Sequence, residues 1–554
     1  MPELKREIAQ STAINHKILK QAIMYVAAFI IIFVSYVFVV PEVQTNAGVY
    51  PYFAKFYGGL MLIGVFIYGF YIYKYKKMTY ERKIFIIILL AFVIHLTYIL
   101  YTTGYTRQHD TWSNSNNDGH YDYALSFYLT GALPDHNITV ETIYQFYHPP
   151  LNAAIEGSFM HVFEALCWNT GISDTPEDLF CACQILTCFY MFVTAVVFIK
   201  IINMSKLSEN SKLMASAFVA LFPRLTQLSG QLNNDALAIM LSAIALLYFC
   251  KWYFVKKSFL NIMMTSLFIG LAMMTKMSAV IICFGIGVAF IIELVRSIQK
   301  KNNSLKTSRL ILQYVCFLAL CAPLGLWFQL YTHFVYGLPF NFVFDRLNSA
   351  LFVGTQDWVI ANKPGSLDYY NSNNSGLIYT STWNNIFYRY IAPISFNEFF
   401  SGNAIFCSAW SNYNVLSYAI RSSIFGEFAS TAGGGIYTIS VISLYVLWTL
   451  FIVYLIYCLV TRVKIGRDGT FALYLIAGII AMYLYLQISM PFGCSMDFRY
   501  IVPIILPIGY LLGKANDSMT ILHPTKFTEA FKNVLWVSMF VFLGSTYLFY
   551  FMAV

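Results

Sequence analysis

Long apolar runs recur along most of the chain and constrain its fold more than any other feature of the sequence. A helix of about 17 to 25 apolar residues crosses the roughly 30 Å hydrocarbon layer of a bilayer, because only helices and closed barrels satisfy their own backbone there. Asp, Glu, Lys and Arg make up only 11% of the 554 residues, against roughly 25% in soluble domains. The sequence therefore predicts an all-α polytopic membrane protein and excludes an ordinary soluble one.

Thirteen transmembrane helices are expected, several of them short or interrupted, and two of them meet at Lys276. They cover approximately 21–40, 56–73, 84–101, 180–201, 211–228, 234–251, 259–275, 277–294, 309–332, 435–460, 469–488, 499–513 and 534–552.

The distribution of Lys and Arg predicts the orientation, because short cytoplasmic loops carry an excess of both. With the N-terminus inside, 26 of the 35 basic residues fall on cytoplasmic segments. The formal charge of +9 is then a topology signal, and no nucleic-acid partner is expected. We expect a multi-pass protein of the bacterial cytoplasmic membrane, or of the endoplasmic reticulum if the source is eukaryotic.

The spans divide the chain into three parts. A transmembrane module at 1–332 contains a first outer loop at 102–179, a large extracytoplasmic loop follows at 333–434, and further transmembrane helices fill 435–554. Long loops in compact proteins are usually functional. We expect the two loops to carry surface helices and the chemistry.

The first outer loop concentrates acids and histidines around Asp118, His120 and Asp122. Apolar positions recur at helical spacing from Tyr121, which predicts a helix along the membrane surface with Asp118 at its start. A carboxylate there could accept a proton or hold a metal, and the free N–H groups of the helix N-terminus could keep it ionised or bind a phosphate. The alternatives without a catalytic role are a solvated polar loop and a residue that only caps the N-terminus of the helix.

His148 precedes Pro149 and Pro150. The two prolines disfavour helix at the histidine and provide a stiff start for the next helix, so its imidazole should be fixed in place. A metal ligand, a base that orients the acceptor, and a simple helix-start hydrogen bond all remain open for His148.

Asp235 and Lys276 stand at breaks between apolar helices. Asp235 could cap the helix that follows it or take part in substrate binding. Two short spans deliver Lys276 to the outer surface, where it could snorkel or bind a phosphate head group.

Three more charged residues lie close to later spans: Glu427, Asp497 and Arg499. An arginine at the mouth of a span is costly unless it is paired or functional. Arg499 could pair with Asp497 or Glu427, or it could clamp a lipid-linked phosphate with two hydrogen bonds.

The segments NNDGHYDY, FYHPPL, SGQLNND, LAMMTK and MDFRYIVPI, in this order over about 110–510, resemble the GT-C superfamily of membrane glycosyltransferases. The similar branch contains the protein O-mannosyltransferases and the lipid A aminoarabinose transferases. The resemblance implies an inverting transfer from a polyprenyl-phosphate or pyrophosphate sugar to a glycan, lipid or protein hydroxyl outside the membrane, as in cell-envelope glycosylation.

The resemblance also implies that a carboxylate of the first outer loop is the base. That role would fall on Asp118, with Asp122 and Asp110 as alternatives. The mannosyltransferases carry adjacent Asp-Glu here, whereas this chain has Asp118-Gly119. We expect His120 and His148 to support catalysis. The residues expected to bind substrate are Lys276, Arg499, Asp235, Glu427 and Asp497.

Two other functions compete with sugar transfer. A secondary transporter or flippase of lipid-linked sugars would also have broken helices, although its site would lie near the midplane. A glycan polymerase or ligase would share the site and use an oligosaccharide donor. The sequence requires no cofactor, and it leaves open whether Mg²⁺ or Mn²⁺ takes part in the reaction.

Overall fold

The computed structural model describes most of the chain, with gaps in both outer loops and at a few turns. The described residues are 2–45, 50–106, 111, 119–134, 144–167, 175–299, 305–340, 414–426, 435–461, 465–489, 494–521 and 525–552. Helix accounts for 88% of this structure, which contains no strand within these ranges. The predicted all-α class is confirmed.

The α-helices are numbered along the described chain. They are α1 (Pro2–Thr45), α2 (Tyr50–Tyr75), α3 (Tyr80–Tyr101), α4 (His120–Thr130), α5 (Leu151–Cys167), α6 (Pro176–Cys181), α7 (Gln184–Met204), α8 (Glu209–Ala220), α9 (Pro223–Ser229), α10 (Asp235–Cys250), α11 (Phe259–Thr275), α12 (Cys283–Ile298), α13 (Thr307–Tyr336), α14 (Val415–Phe425), α15 (Gly435–Thr461), α16 (Gly466–Ser489), α17 (Ile505–Ile521) and α18 (Lys526–Met552).

Short stretches of other helix types join some of these elements. A π-helix extends α10 over Lys251–Val255, and 3₁₀ turns cover Tyr144–Tyr147, Met277–Ile282, Cys494–Met496 and Phe498–Ile504.

Eleven helices of the described chain are long and apolar enough to cross a membrane. The predicted span at 259–275 is the shorter apolar helix α11. The stretch at 211–228, predicted as one span, consists instead of α8 and α9. Pro223 is the first residue of α9, and a proline cannot continue the hydrogen bonding of a preceding helix.

Large apolar side chains cover the outside of the spans. Phe66, Phe334, Leu459 and Phe540 are among the strongly exposed ones. In water such a surface would be a severe aggregation hazard. It is the surface that a lipid solvent requires, so the exposed residues agree with the membrane assignment.

Close helix packing inside the bundle depends on small residues. α12 crosses α16 where Gly285 meets Gly478, and a Cβ on Gly478 would lie 2.8 Å from the backbone nitrogen of Gly285. Without a hydrophobic force between helices in lipid, such close backbone contact is a main source of association.

The order of the helices gathers polar residues at one end of the bundle. α10 begins at Asp235 and α11 ends at Thr275, directly before Lys276. These antiparallel neighbours pack against each other, so Asp235 and Lys276 reach the same end. α4 and α5 of the first outer loop also pack together.

Candidate active site

Asp235 is the centre of a buried ionic cluster formed by three separate elements. Its Oδ1 lies 2.7 Å from Nζ of Lys276, which donates a hydrogen bond to it. Its Oδ2 lies 3.5 Å from Nε of Arg499, an ion-pair distance. None of the three side chains is more than 7% exposed.

Tyr500 strengthens this arrangement from the side. Nζ of Lys276 lies 4.6 Å from the centre of its ring, and the guanidinium carbon of Arg499 lies 5.5 Å from the same centre. Cations at such distances are attracted to an aromatic ring, most strongly where water is absent. The ring thus helps to hold two positive groups side by side.

A second buried ion pair lies next to the first. Nη2 of Arg224 lies 2.5 Å from Oδ1 of Asp497, and neither side chain is exposed to solvent. The same oxygen accepts a hydrogen bond of 2.6 Å from the backbone N–H of Arg499, so Asp497 caps the 3₁₀ helix that carries Arg499. The two ionic groups are therefore joined through the Asp497–Arg499 segment.

Helix α14 packs against α9, which carries Arg224. Arg224 also donates a hydrogen bond to the side chain of Gln227, and Nε2 of Gln227 donates one of 2.6 Å to the carbonyl of Phe425. Gly426 follows with a φ of 64°, and a Cβ there would lie 2.5 Å from Nη1 of Arg224. Only glycine accepts both the left-handed backbone and this close approach.

Hydrogen bonds connect the first outer loop to the same end of the bundle. The hydroxyl of Thr111 donates a hydrogen bond of 3.1 Å to the carbonyl of Leu232, three residues before Asp235. The carbonyl of Thr111 accepts one of 3.3 Å from the N–H of Tyr121 in α4. His120, the first residue of α4, lies near enough to Asp235 for their charges to interact.

His120 and His148 stand next to each other. Their rings are parallel within 9° with centres 5.9 Å apart, and the ring of Tyr147 packs on His148 at 4.2 Å. The hydroxyl of Tyr123 donates a hydrogen bond of 3.1 Å to the carbonyl of His148. α5 begins at Leu151, directly after Pro149 and Pro150, as the prolines predict.

Most of the predicted site residues that the structure describes therefore converge. They are His120, His148, Asp235, Lys276, Asp497 and Arg499. Asp122 lies in the first turn of α4, where Oδ2 accepts a bond of 3.4 Å from the N–H of Gly119, the N-cap residue. Asp118, Glu427 and the alternative base Asp110 lie outside the described residues.

These contacts decide between the alternative structural roles expected for three of the residues. Lys276 does not snorkel, because it is buried and paired with Asp235. Asp235 does not cap its own helix, since its side chain pairs with cations and no side-chain cap bond forms at the start of α10. Arg499 pairs with Asp235, whereas the side chain of Asp497 pairs with Arg224.

Arg224 is the member of the cluster that the sequence prediction missed. A usable signal exists, because an arginine beside Pro223 within an apolar stretch is costly in a membrane unless it has a partner. The partner could not be read in advance, since Asp497 is 273 residues away.

Metal binding receives no support from the described part of the chain. Within it, no group of three or more His, Cys, Asp or Glu side chains is placed to hold a metal ion. The oxygen atoms of Asp235 and Asp497 instead face ammonium and guanidinium groups.

One part of the chain matches a known family model. Residues 146–343 match the family model described as dolichyl-phosphate-mannose-protein mannosyltransferase. That family is one of the GT-C superfamily. The matched segment includes His148, Arg224, Asp235 and Lys276, whereas Arg499 reaches the same cluster from beyond it. No curated protein matches the chain.

Proposed function

We propose that this protein is an inverting glycosyltransferase that moves a sugar from a polyprenyl-phosphate donor to an acceptor hydroxyl at the extracytoplasmic face of the membrane. The observation that carries the proposal is the convergence of Lys276 and Arg499 on Asp235 at one end of a lipid-exposed bundle. The GT-C domain at 146–343 supports the same reaction class.

The charge of the cluster favours a monophosphate donor. Among the described residues, the ion pairs join three cations, Arg224, Lys276 and Arg499, to two carboxylates, Asp235 and Asp497, which leaves one positive charge in this group. A sugar linked through one phosphate to a lipid carries one negative charge, whereas a pyrophosphate linkage carries two. The single excess charge among these five groups suits the monophosphate better than the pyrophosphate.

In the reaction, the acceptor oxygen forms a bond to the anomeric carbon while the bond from that carbon to the phosphate oxygen breaks. The electron pair of that bond leaves with the lipid phosphate, and Lys276 and Arg499 would stabilise the growing charge. The hydroxyl proton passes to a base. We assign the base to Asp118, with Asp122 and Asp110 as the alternatives.

One displacement inverts the anomeric centre. A retaining enzyme would need a second carboxylate as the nucleophile. Asp235 and Asp497 are poorly suited to that role because each is held in an ion pair. His120 and His148, side by side and with His120 within electrostatic range of Asp235, would orient the acceptor and line its approach.

The description of the matched family names mannose as the sugar and protein as the acceptor. Transfer of mannose from a polyprenyl-phosphate donor to a peptide hydroxyl is therefore the first reaction to assay. On the predicted orientation, the N-terminus lies in the cytoplasm and the site opens outside it.

The decisive experiment compares Asp118→Asn and Arg499→Ala in purified protein with labelled polyprenyl-phosphate mannose. Asp118→Asn should abolish transfer and keep donor binding. Arg499→Ala should weaken donor binding by tenfold or more, since a charge-assisted bond contributes about 1.5 to 3 kcal/mol. Lys76→Gln, an exposed change, is the matched control and should alter neither.

Three outcomes would contradict parts of the proposal. Full transfer by Asp118→Asn would remove Asp118 as the base. Movement of the labelled donor across a vesicle membrane, with no transfer to any acceptor, would favour the flippase. Equal affinity for monophosphate and pyrophosphate lipids would contradict the charge argument.

A further inference from the structure

A second group of charges lies at the end of the bundle opposite the Asp235 cluster. Lys257 precedes α11 and Lys276 follows it, and the 17 residues of this helix, at about 1.5 Å each, separate them by roughly 25 Å. The second group is therefore a separate feature of the fold.

Glu293 is the centre of this group and is fully buried. Its carboxylate lies 2.8 Å from Nζ of Lys257, 2.9 Å from Nη2 of Arg467 and 3.1 Å from Nη1 of Arg296. One carboxylate thus binds three cations from three different segments. The group keeps an excess of positive charge after Glu293 is neutralised.

Two of the cations have guanidinium donors that make no hydrogen bond within the described residues. Arg467 donates only through Nη2, to Glu293 and to the carbonyl of Tyr253, and Arg296 donates only through Nη1, within the described chain. Their side chains are 39% and 44% exposed. The remaining guanidinium N–H groups suit a phosphate, which arginine binds with paired bonds.

The surroundings add charge and aromatic rings. The segments 251–258, 293–298 and 465–469 contain two carboxylates, Glu293 and Asp468, and five basic residues. The basic residues are Lys251, Lys256, Lys257, Arg296 and Arg467. The guanidinium of Arg467 stacks 4.2 Å from the ring centre of Tyr253, as residues at a lipid interface commonly do.

An apolar cavity of about 60 Å³ opens beside Arg467. Phe254 lines it, and the guanidinium of Arg467 lies 5.9 Å from the ring of Phe254. Phe471 and Leu506 continue the apolar wall, with Asp468 on its edge. A site with phosphate-binding groups next to an apolar cavity fits a molecule with an anionic head and a hydrocarbon tail.

We propose that this end of the bundle binds an anionic phospholipid, with its phosphate on Arg296 and Arg467 and part of one acyl chain in the adjoining cavity. On the predicted topology it faces the cytoplasmic leaflet, where anionic lipids attract basic segments. The lipid would neutralise charge that Glu293 leaves uncompensated. This proposal is independent of the sugar-transfer reaction.

The test counts lipids bound to delipidated protein by native mass spectrometry, with phosphatidylglycerol and phosphatidylcholine as probes. Phosphatidylglycerol should bind at lower concentration. Arg296→Gln should weaken its binding about fivefold, from the roughly 1 kcal/mol that one basic residue contributes near a membrane surface. Lys256→Gln, at an exposed position, should also weaken its binding.

Lys76→Gln is the matched control. It removes the same charge from the turn between α2 and α3, which the hydrogen bond between Tyr80 and Asn203 holds at the same end of the bundle. Its affinity should stay within twofold of wild type. Equal binding of the two lipids, unchanged binding by Arg296→Gln and Lys256→Gln, or displacement of phosphatidylglycerol by millimolar inorganic phosphate would overturn the proposal.

Discussion

The buried pair of Arg224 and Asp497 gives the sharpest stability prediction for this fold. Asp497→Asn keeps the size of the side chain and an oxygen that can accept the bonds from Arg224 and from the N–H of Arg499. It removes only the negative charge. Both side chains are 0% exposed, so water cannot replace the lost partner.

Removing one partner of a buried ion pair costs about 3 to 5 kcal/mol, because the other charge stays buried without compensation. At about 2 °C per kcal/mol, the value for larger chains, Tm should fall by roughly 6 °C or more. A total stability of about 5 to 15 kcal/mol makes this a large share.

The assay is thermal unfolding of detergent-purified variants at one protein concentration. Glu164→Gln is the control, because Glu164 is 33% exposed and its Oε2 accepts a bond of 2.9 Å from Tyr128. Losing an exposed charge of this kind lowers the free energy of unfolding by about 0 to 1 kcal/mol. The double change Arg224→Met with Asp497→Asn should be more stable than Asp497→Asn alone, since it leaves no uncompensated guanidinium.

A Tm for Asp497→Asn within 1 °C of wild type would refute this reasoning. So would a double variant less stable than Asp497→Asn, because the cost would then come from lost packing and not from an unpaired charge.

Two further predictions concern the packing of other helices. Burial raises the pKa of the Glu156 carboxyl to about 8, although a hydrogen bond from Asn152 opposes this shift. The folded state therefore keeps a proton that the unfolded chain releases above its ordinary pKa of 4.5. The free energy of unfolding should then fall as pH rises from about 4.5 to about 8. A Tm profile over this range should be flatter for Glu156→Gln, and equal slopes would count against the buried carboxyl. Gly478→Val should cost about 1 to 3 kcal/mol, because its Cβ would meet the backbone of Gly285. Gly287→Val on α12, with open space around the new Cβ, should lower Tm less in the same scan, and an equal loss would attribute the effect to helix propensity.

Much of the fold could be predicted because hydropathy is a local property. An apolar run long enough to cross a bilayer forms a helix whatever its neighbours are, and the spans at 84–101 and 435–460 match α3 and α15. The exception at 211–228 is also local in origin, since Pro223 divides α8 from α9.

The site could be predicted only as a list of separate residues. His148, Lys276 and Arg499 stand out because histidine before two prolines, or a cation at a break in an apolar helix, requires an explanation. Their partners did not follow from that reasoning. The side chain of Arg499 pairs with Asp235, while the carboxylate of Asp497 pairs with Arg224 and accepts a bond from the backbone N–H of Arg499.

The sequence alone determined that the chain crosses the membrane many times, and it showed at which positions a charged side chain is energetically unfavourable in lipid. Both depend on the free energy of moving one segment at a time from water into lipid. Only the tertiary structure decided which costly charges meet. Arg224 and Asp497 lie 273 residues apart and share one buried contact, and no local pattern encodes such a pair. Buried charges persist where opposite charges balance them, and that balance depends on how the helices pack.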